Sequence, residues 1–142
     1  MIDAVGAKMK VTHRIVRIVI ADDQPIIRTM VRSTLEKIPH FEVCAEAGDG
    51  AKAIEDAQRL KPDVVVLNVT MPVLNGFDAA REIKATLPDT AIVILSSHAD
   101  QRFVAEAKKI GVRSYVAKSK AGEALVMAIE AAVRGDDFIL VE

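Results

Sequence analysis

Several residue types that mark particular classes of protein are scarce in this chain. Its 142 residues include one cysteine, one tyrosine and no tryptophan. A single cysteine excludes an internal disulfide and is typical of a protein from a reducing compartment. Aromatic residues make up 4% of the chain and hydrophobic residues 51%, so we expect one domain with an aliphatic core.

The chain also has no large excess of charge of either sign, because its 19 Lys and Arg residues nearly balance its 20 Asp and Glu residues. The net charge of −1 argues against direct binding of nucleic acid and against a polybasic membrane patch. No apolar run is long enough to span a bilayer, and Met1–Arg14 lacks the apolar core of a signal peptide. We therefore expect a cytoplasmic protein in which residues 1–14 form a flexible N-terminal leader.

Short apolar runs and helical spacing alternate five times along the chain. Each run predicts a strand, and each is followed by apolar residues at the three- and four-residue steps that are typical of a helix. Five strand–helix units predict an α/β fold in which a doubly wound (βα)5 parallel sheet carries helices on both faces. The predicted strands are Val16–Ala21, Glu42–Ala47, Val64–Leu67, Ala91–Leu95 and Ser114–Ala117.

The last helical stripe ends at Gly135, so the predicted domain spans residues 15–135. Residues 136–142 are expected to form a C-terminal tail, or the start of a linker to an output domain outside this sequence. The segment Phe138–Val141 is more apolar than a free tail requires. We therefore expect it to pack on the domain or to lead into a partner.

Polar residues stand where four of the five predicted strands end. Asp22 and Asp23 follow the first strand, Asn68 follows the third, Ser96 ends the fourth and Lys118 follows the fifth. The carboxyl ends of parallel strands share one edge of the sheet, so these side chains are expected to surround Asn68. Carboxylates suit a divalent cation, whereas a hydroxyl and an ammonium group can bind phosphoryl oxygens.

Each of these residues also has an ordinary structural interpretation. An Asp before a helix that starts with Pro25 can simply cap that helix. A Ser after a strand, as at Ser96 or Ser97, is commonly a loop residue, and a lone Lys118 is commonly a solvated charge. The functional interpretation therefore depends on the convergence of all of them at one edge.

The motifs that contain these residues have a specific order along the chain. They are Ile18–Pro25, Glu46–Gly50, Pro62–Pro72 with Asn75-Gly76 beyond it, Ile94–Asp100 and Tyr115–Lys118. In this order they resemble the receiver domain of two-component response regulators, most closely those of the NarL/FixJ subfamily. The resemblance covers about Ile15 to Gly135 and implies a flavodoxin-like sheet with strand order 2-1-3-4-5.

The resemblance implies a Mg²⁺ site at the carboxyl edge of the sheet. Asp22 and Asp23 match the acid pair that holds the ion, and the backbone carbonyl of Thr70 matches a third ligand. The side chain of Asn68 would complete this set. Because an amide replaces a carboxylate there, Mg²⁺ is expected to bind weakly.

The resemblance also implies the residues that handle the phosphoryl group. Ser96 matches the hydroxyl that moves toward that group on activation, and Lys118 matches the lysine that pairs with its oxygens. Tyr115 matches the aromatic switch residue whose orientation reports the activation state. Thr70 and His98 stand where the family tunes dephosphorylation.

Asn68 departs from the family because it occupies the position of the phospho-acceptor aspartate. Receivers form an acyl phosphate on that carboxylate, and a neutral amide cannot do so. Two origins stay open: an engineered substitution in an ordinary receiver, or a natural asparagine in a degenerate receiver. The retained Asp22, Asp23, Ser96 and Lys118 favour the first.

The leading functional hypothesis is a receiver module of a two-component phosphorelay, with no enzymatic activity of its own. Its implied partners are a sensor histidine kinase and an output DNA-binding domain or partner protein. The alternative is a degenerate receiver that acts as a phosphorylation-independent interaction or homodimerisation module, which the apolar face of the last helix favours. A flavin-binding domain is disfavoured, because Asp22–Pro25 lacks a Gly/Ser/Thr-rich phosphate cradle. An aspartate-nucleophile hydrolase is disfavoured, because Asp22 and Asp23 are adjacent and not two residues apart.

Overall fold

A six-stranded parallel sheet forms the centre of the molecule. The computed structural model describes residues 3–4, 8–9, 14–98 and 100–141. The strands stand in the order β2-β1-β3-β4-β5-β6, which confirms the flavodoxin-like fold and adds a sixth strand to the predicted five. Their bounds are β1 Val16–Ala21, β2 Phe41–Ala47, β3 Val64–Leu67, β4 Ala91–Ser96, β5 Ser114–Ala117 and β6 Phe138–Leu140.

Five helices connect the strands, and local sequence sets where they begin and end. Side chains of Asp49, Asn75 and Asp100 cap the second, third and fourth helices by accepting backbone N–H bonds. Gly111 and Gly135 end the fourth and fifth helices in the left-handed conformation. The helices are α1 Pro25–Glu36, α2 Gly50–Leu60, α3 Gly76–Thr86, α4 Gln101–Ile110 and α5 Ala121–Arg134, and a 3-10 turn, Lys118–Lys120, precedes α5.

The helices cover both faces of the sheet, as the doubly wound pattern predicts. Helices α1 and α5 pack on the face that receives Val64 and Val66 of β3. Helices α2, α3 and α4 pack on the opposite face, which receives Val65 and Leu67. All four residues of β3 are therefore buried, and aliphatic side chains dominate both layers.

The structure differs from the sequence-based expectation at the C-terminus, where part of the predicted tail forms β6. This strand pairs in parallel with β5, so that Ser114 lies beside Phe138 and Val116 beside Leu140. Phe138 and Leu140 pack against the α1/α5 layer, and Val141 packs against the other layer. The apolar character of the segment is thus explained by its burial against β5, which would otherwise be an edge strand.

The predicted flexible leader falls largely outside the described residues, since 1–2, 5–7 and 10–13 are not among them. Within it, Asp3–Ala4 and Lys8–Met9 form a short antiparallel pair that is separate from the main sheet. Within the described ranges, no helix combines the length and the apolar character needed to cross a bilayer.

Candidate functional site

The carboxyl edge of the sheet collects the polar residues that were predicted to converge there. Asp22 follows β1, Asn68 follows β3, Ser96 ends β4 and Lys118 follows β5. Asp22, Asn68 and Ser96 are buried, with 2%, 6% and 0% of their surface exposed. Asp23 is exposed beside them. Buried polar groups at this edge require partners, and their partners define the site.

Asp22 joins the ends of β1 and β5 through its two carboxylate oxygens. Its Oδ1 accepts a hydrogen bond of 2.9 Å from the backbone N–H of Gln24. Its Oδ2 lies 2.9 Å from Nζ of Lys118. The geometry of this contact is not that of a hydrogen bond, and within the described part of the chain Oδ2 has no hydrogen-bond partner. The contact is therefore an ion pair with little solvent around it.

The side-chain amide of Asn68 links the end of β3 to two acceptors. Its Nδ2 donates to the backbone carbonyl of Thr70 at 2.8 Å and to Oδ1 of Asp23 at 3.4 Å. A carbonyl and a carboxylate can only accept, so these partners fix which end of the amide carries the N–H groups. The backbone N–H of Asn68 also donates to the carbonyl of Ala21 at 2.9 Å.

The loop after Asn68 is held against the start of α3 by a glycine. A Cβ atom on Gly76 would lie 2.0 Å from the backbone oxygen of Asn68, so no larger residue fits. The N–H of Gly76 donates to the carbonyl of Val69 at 2.7 Å. This close approach fixes the backbone on which the Asn68 side chain stands. Within the loop, exposed Val73 adopts a φ of 69°, which is unfavourable for a β-branched residue.

His98 connects the ends of β3, β4 and β5 through its backbone and its ring. Its N–H donates to Oγ of Ser96 at 2.9 Å, and its carbonyl accepts from the hydroxyl of Tyr115 at 2.5 Å. Its Nε2 lies 3.3 Å from Oγ1 of Thr70. The ring packs edge-on against Phe103, with centroids 4.8 Å apart. The ends of three strands are thus tied together beside Asn68.

The phenol of Tyr115 points into the molecule, and its surface is 0% exposed. Burial raises the pKa of this phenol above its ordinary value. A side-chain hydrogen bond with Ser96 acts in the opposite direction, and the negative charge of Asp100 adds to the increase. Burial therefore favours the neutral form of Tyr115, and the hydrogen bond to the carbonyl of His98 holds its hydroxyl inward.

Comparison with known proteins identifies the family. A family model described as the response regulator receiver domain matches residues 18–130. The chain is a response regulator receiver domain. It is 39% identical, over 85% of its length, to the uncharacterized transcriptional regulatory protein YxjL of Bacillus subtilis (strain 168), of which it covers 56%. The chain spans about half the length of the first curated relatives it matches.

Solved structures extend the similarity to the three-dimensional fold. A LuxR-family response regulator from Aurantimonas sp. SI85-9A1 has 35% identity and a TM-score of 0.84, with 87% of this chain and 89% of that chain covered. The receiver domain of the putative response regulator NarL from Mycobacterium tuberculosis has 30% identity and a TM-score of 0.81, with 87% and 99% covered. The receiver therefore has neighbours in the NarL and LuxR families, as expected.

Every predicted site residue of this receiver lies at one edge, and contacts divide them into two sets. One set runs from Asp23 through Asn68 and Thr70 to His98, which contacts Ser96 and Tyr115. The other set is the ion pair between Asp22 and Lys118. The roles of these residues in phosphotransfer stay predictions.

Arg28 is part of the site and was missed by the sequence reasoning. Its Nη1 donates to the backbone carbonyl of Asp22 at 2.5 Å, and its Nε lies 3.3 Å from Oε1 of Glu46. Glu46 is also bound by Arg32 at 2.9 Å. Arg28 thus fixes the turn that presents Asp22 and Asp23. The only signal in the sequence is a basic residue one turn into α1 opposite an acidic residue near the end of β2.

The receiver family generally binds Mg²⁺ at an acidic pocket, and this edge of the sheet is the corresponding place in the chain. Carboxylate and carbonyl oxygens of Asp22, Asp23 and Thr70 have suitable chemistry. Their arrangement does not suit a bound ion, since Oδ2 of Asp22 faces an ammonium group and the other two oxygens accept from Asn68. Among the described residues, no three His, Cys, Asp or Glu side chains cluster in a way that could hold a metal.

Proposed function

We propose that this receiver domain works in a two-component phosphorelay without accepting a phosphoryl group at residue 68. Asn68 occupies the central position at the end of β3, and its amide nitrogen is committed to Thr70 and Asp23. An amide is a poorer nucleophile than a carboxylate, because its nitrogen lone pair is delocalised and its oxygen carries no full negative charge. No stable acyl phosphate can therefore form on Asn68. The observation that carries this proposal is the asparagine at the centre of an otherwise complete constellation of Asp22, Asp23, Ser96 and Lys118.

Its proposed partners are a sensor histidine kinase and an output DNA-binding domain or partner protein. Receiver domains are typically signalling modules without enzymatic activity, although a methylesterase is also among the matched proteins. In homologues they interact with kinases and with output domains. The names of the curated relatives as transcriptional regulatory proteins support an output through transcription.

A phosphodonor assay tests this proposal. We expect the chain to remain unlabelled when incubated with acetyl phosphate and Mg²⁺, and the Asn68→Asp variant to acquire one acyl phosphate detectable by intact-protein mass spectrometry. Asn75→Asp is the matched control, since it adds the same carboxylate seven positions later at the cap of α3. Labelling of the unmodified chain to the extent seen with Asn68→Asp would overturn the proposal.

A second candidate is a module that signals through protein interaction or self-association alone. Exposed apolar side chains on neighbouring helices favour it: Ile26 and Met30 on α1 are 77% and 43% exposed, and Met127 and Val133 on α5 are 55% and 44% exposed. Such side chains can contribute to a protein–protein interface. Sedimentation velocity over a wide concentration range tests self-association, and a monomer at every concentration argues against a homodimer.

A further inference from the structure

We infer that Asn68 and Lys118 together take the place of a divalent cation in this receiver. Their nitrogen atoms bind the oxygens that the family resemblance assigns to Mg²⁺, so the chain itself neutralises the charge of Asp22 and donates a hydrogen bond to Asp23. The inference rests on the proposed function, because it concerns how divalent cations regulate the same site. It predicts a site whose native arrangement forms without metal.

The amide of Asn68 replaces the cation at two of the oxygens assigned to it. One nitrogen, Nδ2, bridges the carbonyl of Thr70 and Oδ1 of Asp23 at 2.8 Å and 3.4 Å. A cation bound at the same place would have to bridge the same two oxygens. Asn68 cannot turn its oxygen toward them without placing three acceptors together. The amide therefore supplies positive partial charge where an aspartate would supply negative charge.

The ammonium group of Lys118 replaces the cation at Asp22. Its Nζ lies 2.9 Å from Oδ2 of Asp22, and the two side chains are only 16% and 3% exposed. Removing one member of a buried ion pair leaves an uncompensated charge, so such pairs are costly to break. A divalent cation that coordinates Asp22 must displace Lys118 from this oxygen. Lys118 is free to pair with Asp22 because residue 68 carries no competing charge.

The charge balance leads to the same conclusion. Asp22 and Asp23 contribute two negative charges, Lys118 contributes one positive charge and Asn68 contributes none. A carboxylate at position 68 would add a further negative charge beside the acid pair. Attraction for a cation grows with the negative charge nearby. The site with Asn68 therefore attracts Mg²⁺ less strongly than a site with aspartate at this position, and it has less charge repulsion for the ion to relieve.

Calorimetric titration of the full chain with Mg²⁺ tests the inference. We expect Lys118→Met to bind Mg²⁺ about tenfold more tightly than the unmodified chain, since Oδ2 of Asp22 becomes available. Lys120→Met is the matched control, because it removes the same charge from the same turn and should change the affinity by less than about twofold. Equal effects of the two substitutions would show that only general charge matters and would overturn the inference.

A stability measurement keeps the inference testable if Lys118→Met folds poorly. Lys118→Arg retains a cation beside Asp22, so its melting temperature should be the same with Mg²⁺ and with a chelator, as for the unmodified chain. Asn68→Asp should gain stability from Mg²⁺. If Mg²⁺ at millimolar concentration stabilises the unmodified chain as strongly as Asn68→Asp, the inference fails. The phosphodonor assay could still support the proposed function, so the two failures are distinguishable.

Discussion

An amide and a carboxylate have almost the same shape, so Asn68→Asp changes the charge at the end of β3 and little else. The aspartate would place an oxygen against the carbonyl of Thr70 and a negative charge near Asp23, where Nδ2 now donates. Two like charges 4 Å apart repel by about 4 kcal/mol at an effective dielectric constant near 20, and by less where solvent reaches them.

We therefore predict that Asn68→Asp lowers the free energy of unfolding in the presence of a chelator by about 1–3 kcal/mol. Adding Mg²⁺ should recover much of this loss, because the ion neutralises the clustered acids. Urea unfolding followed by circular dichroism measures both values. Asn75→Asp serves as the control, and a chelated Asn68→Asp variant as stable as the unmodified chain would contradict this prediction.

Tyr115 offers a second test at the level of one residue, because it is the only tyrosine in the chain. Burial raises the pKa of its phenol in the folded state. Folding therefore disfavours the tyrosinate form. The stabilising contribution is complete below the pKa of an unfolded tyrosine, about 10, and is lost as the pH rises through the folded-state pKa.

We predict that ultraviolet absorbance of tyrosinate appears at higher pH in the folded chain than in the urea-unfolded chain. Ser96→Ala should shift the folded titration to still higher pH, because the hydrogen bond from Ser96 lowers the pKa of Tyr115. Coincident titrations of the folded and unfolded chains would show that the phenol is not buried as described.

The strands and helices differ in how clearly the sequence specifies them. The bounds of β1, β3 and β5 agree with the apolar runs from which they were predicted, because each run is enclosed by polar or turn residues. Strand β6 could not be predicted in this way. Four apolar residues after a helix, Phe138–Val141, indicate burial, but their partner β5 is known only once the sheet is assembled.

Strand β6 is also the element whose contribution to stability is easiest to isolate. Leu140 packs against the α1/α5 layer, whereas Ile139 is 37% exposed on the same strand. We predict that Leu140→Ala lowers the free energy of unfolding by about 1–3 kcal/mol, less than a fully buried leucine would. Ile139→Ala is the matched control, with an expected loss of less than about 0.5 kcal/mol. Equal losses would indicate that β6 is not packed as described.

The site shows where prediction from sequence stops. The convergence of Asp22, Asn68, Ser96 and Lys118 follows from parallel strands alone, since their carboxyl ends must share an edge. Parallel strands alone do not predict the ion pair between Lys118 and Asp22 or the hydrogen bond from Arg28 to the carbonyl of Asp22. Both depend on side-chain directions and loop paths, and these are set by packing between elements that are distant in sequence.

At the scale of the whole molecule, the sheet has a protected centre and two unequal edges. Strand β3 lies between β1 and β4 with every residue buried, whereas β2 and β6 are the outermost strands. Strand β2 has seven residues and β6 has three. Cooperative opening should therefore begin at the β6 side, because the fewest contacts must break there.

Hydrogen exchange measured by nuclear magnetic resonance checks this order. We predict that amides of β3 exchange only through global unfolding, that those of β2 exchange faster, and that those of β6 exchange fastest among the strands. The comparison of β2 with β6 controls for position at an edge. Protection of β6 equal to that of β3 would indicate that the C-terminal strand belongs to the most stable unit.

The direction of β6 has a practical consequence for spectroscopic work. Because β6 is parallel to β5, Leu140 lies beside Val116, two residues before Lys118, at the same side of the molecule. A cysteine introduced at Val141 would therefore carry a fluorophore on the side of the molecule that holds Lys118. The native Cys44 should react slowly with such a dye, since burial raises the pKa of its thiol, which donates to the carbonyl of Ile18. Selective labelling would make this position an optical reporter of events at Asn68.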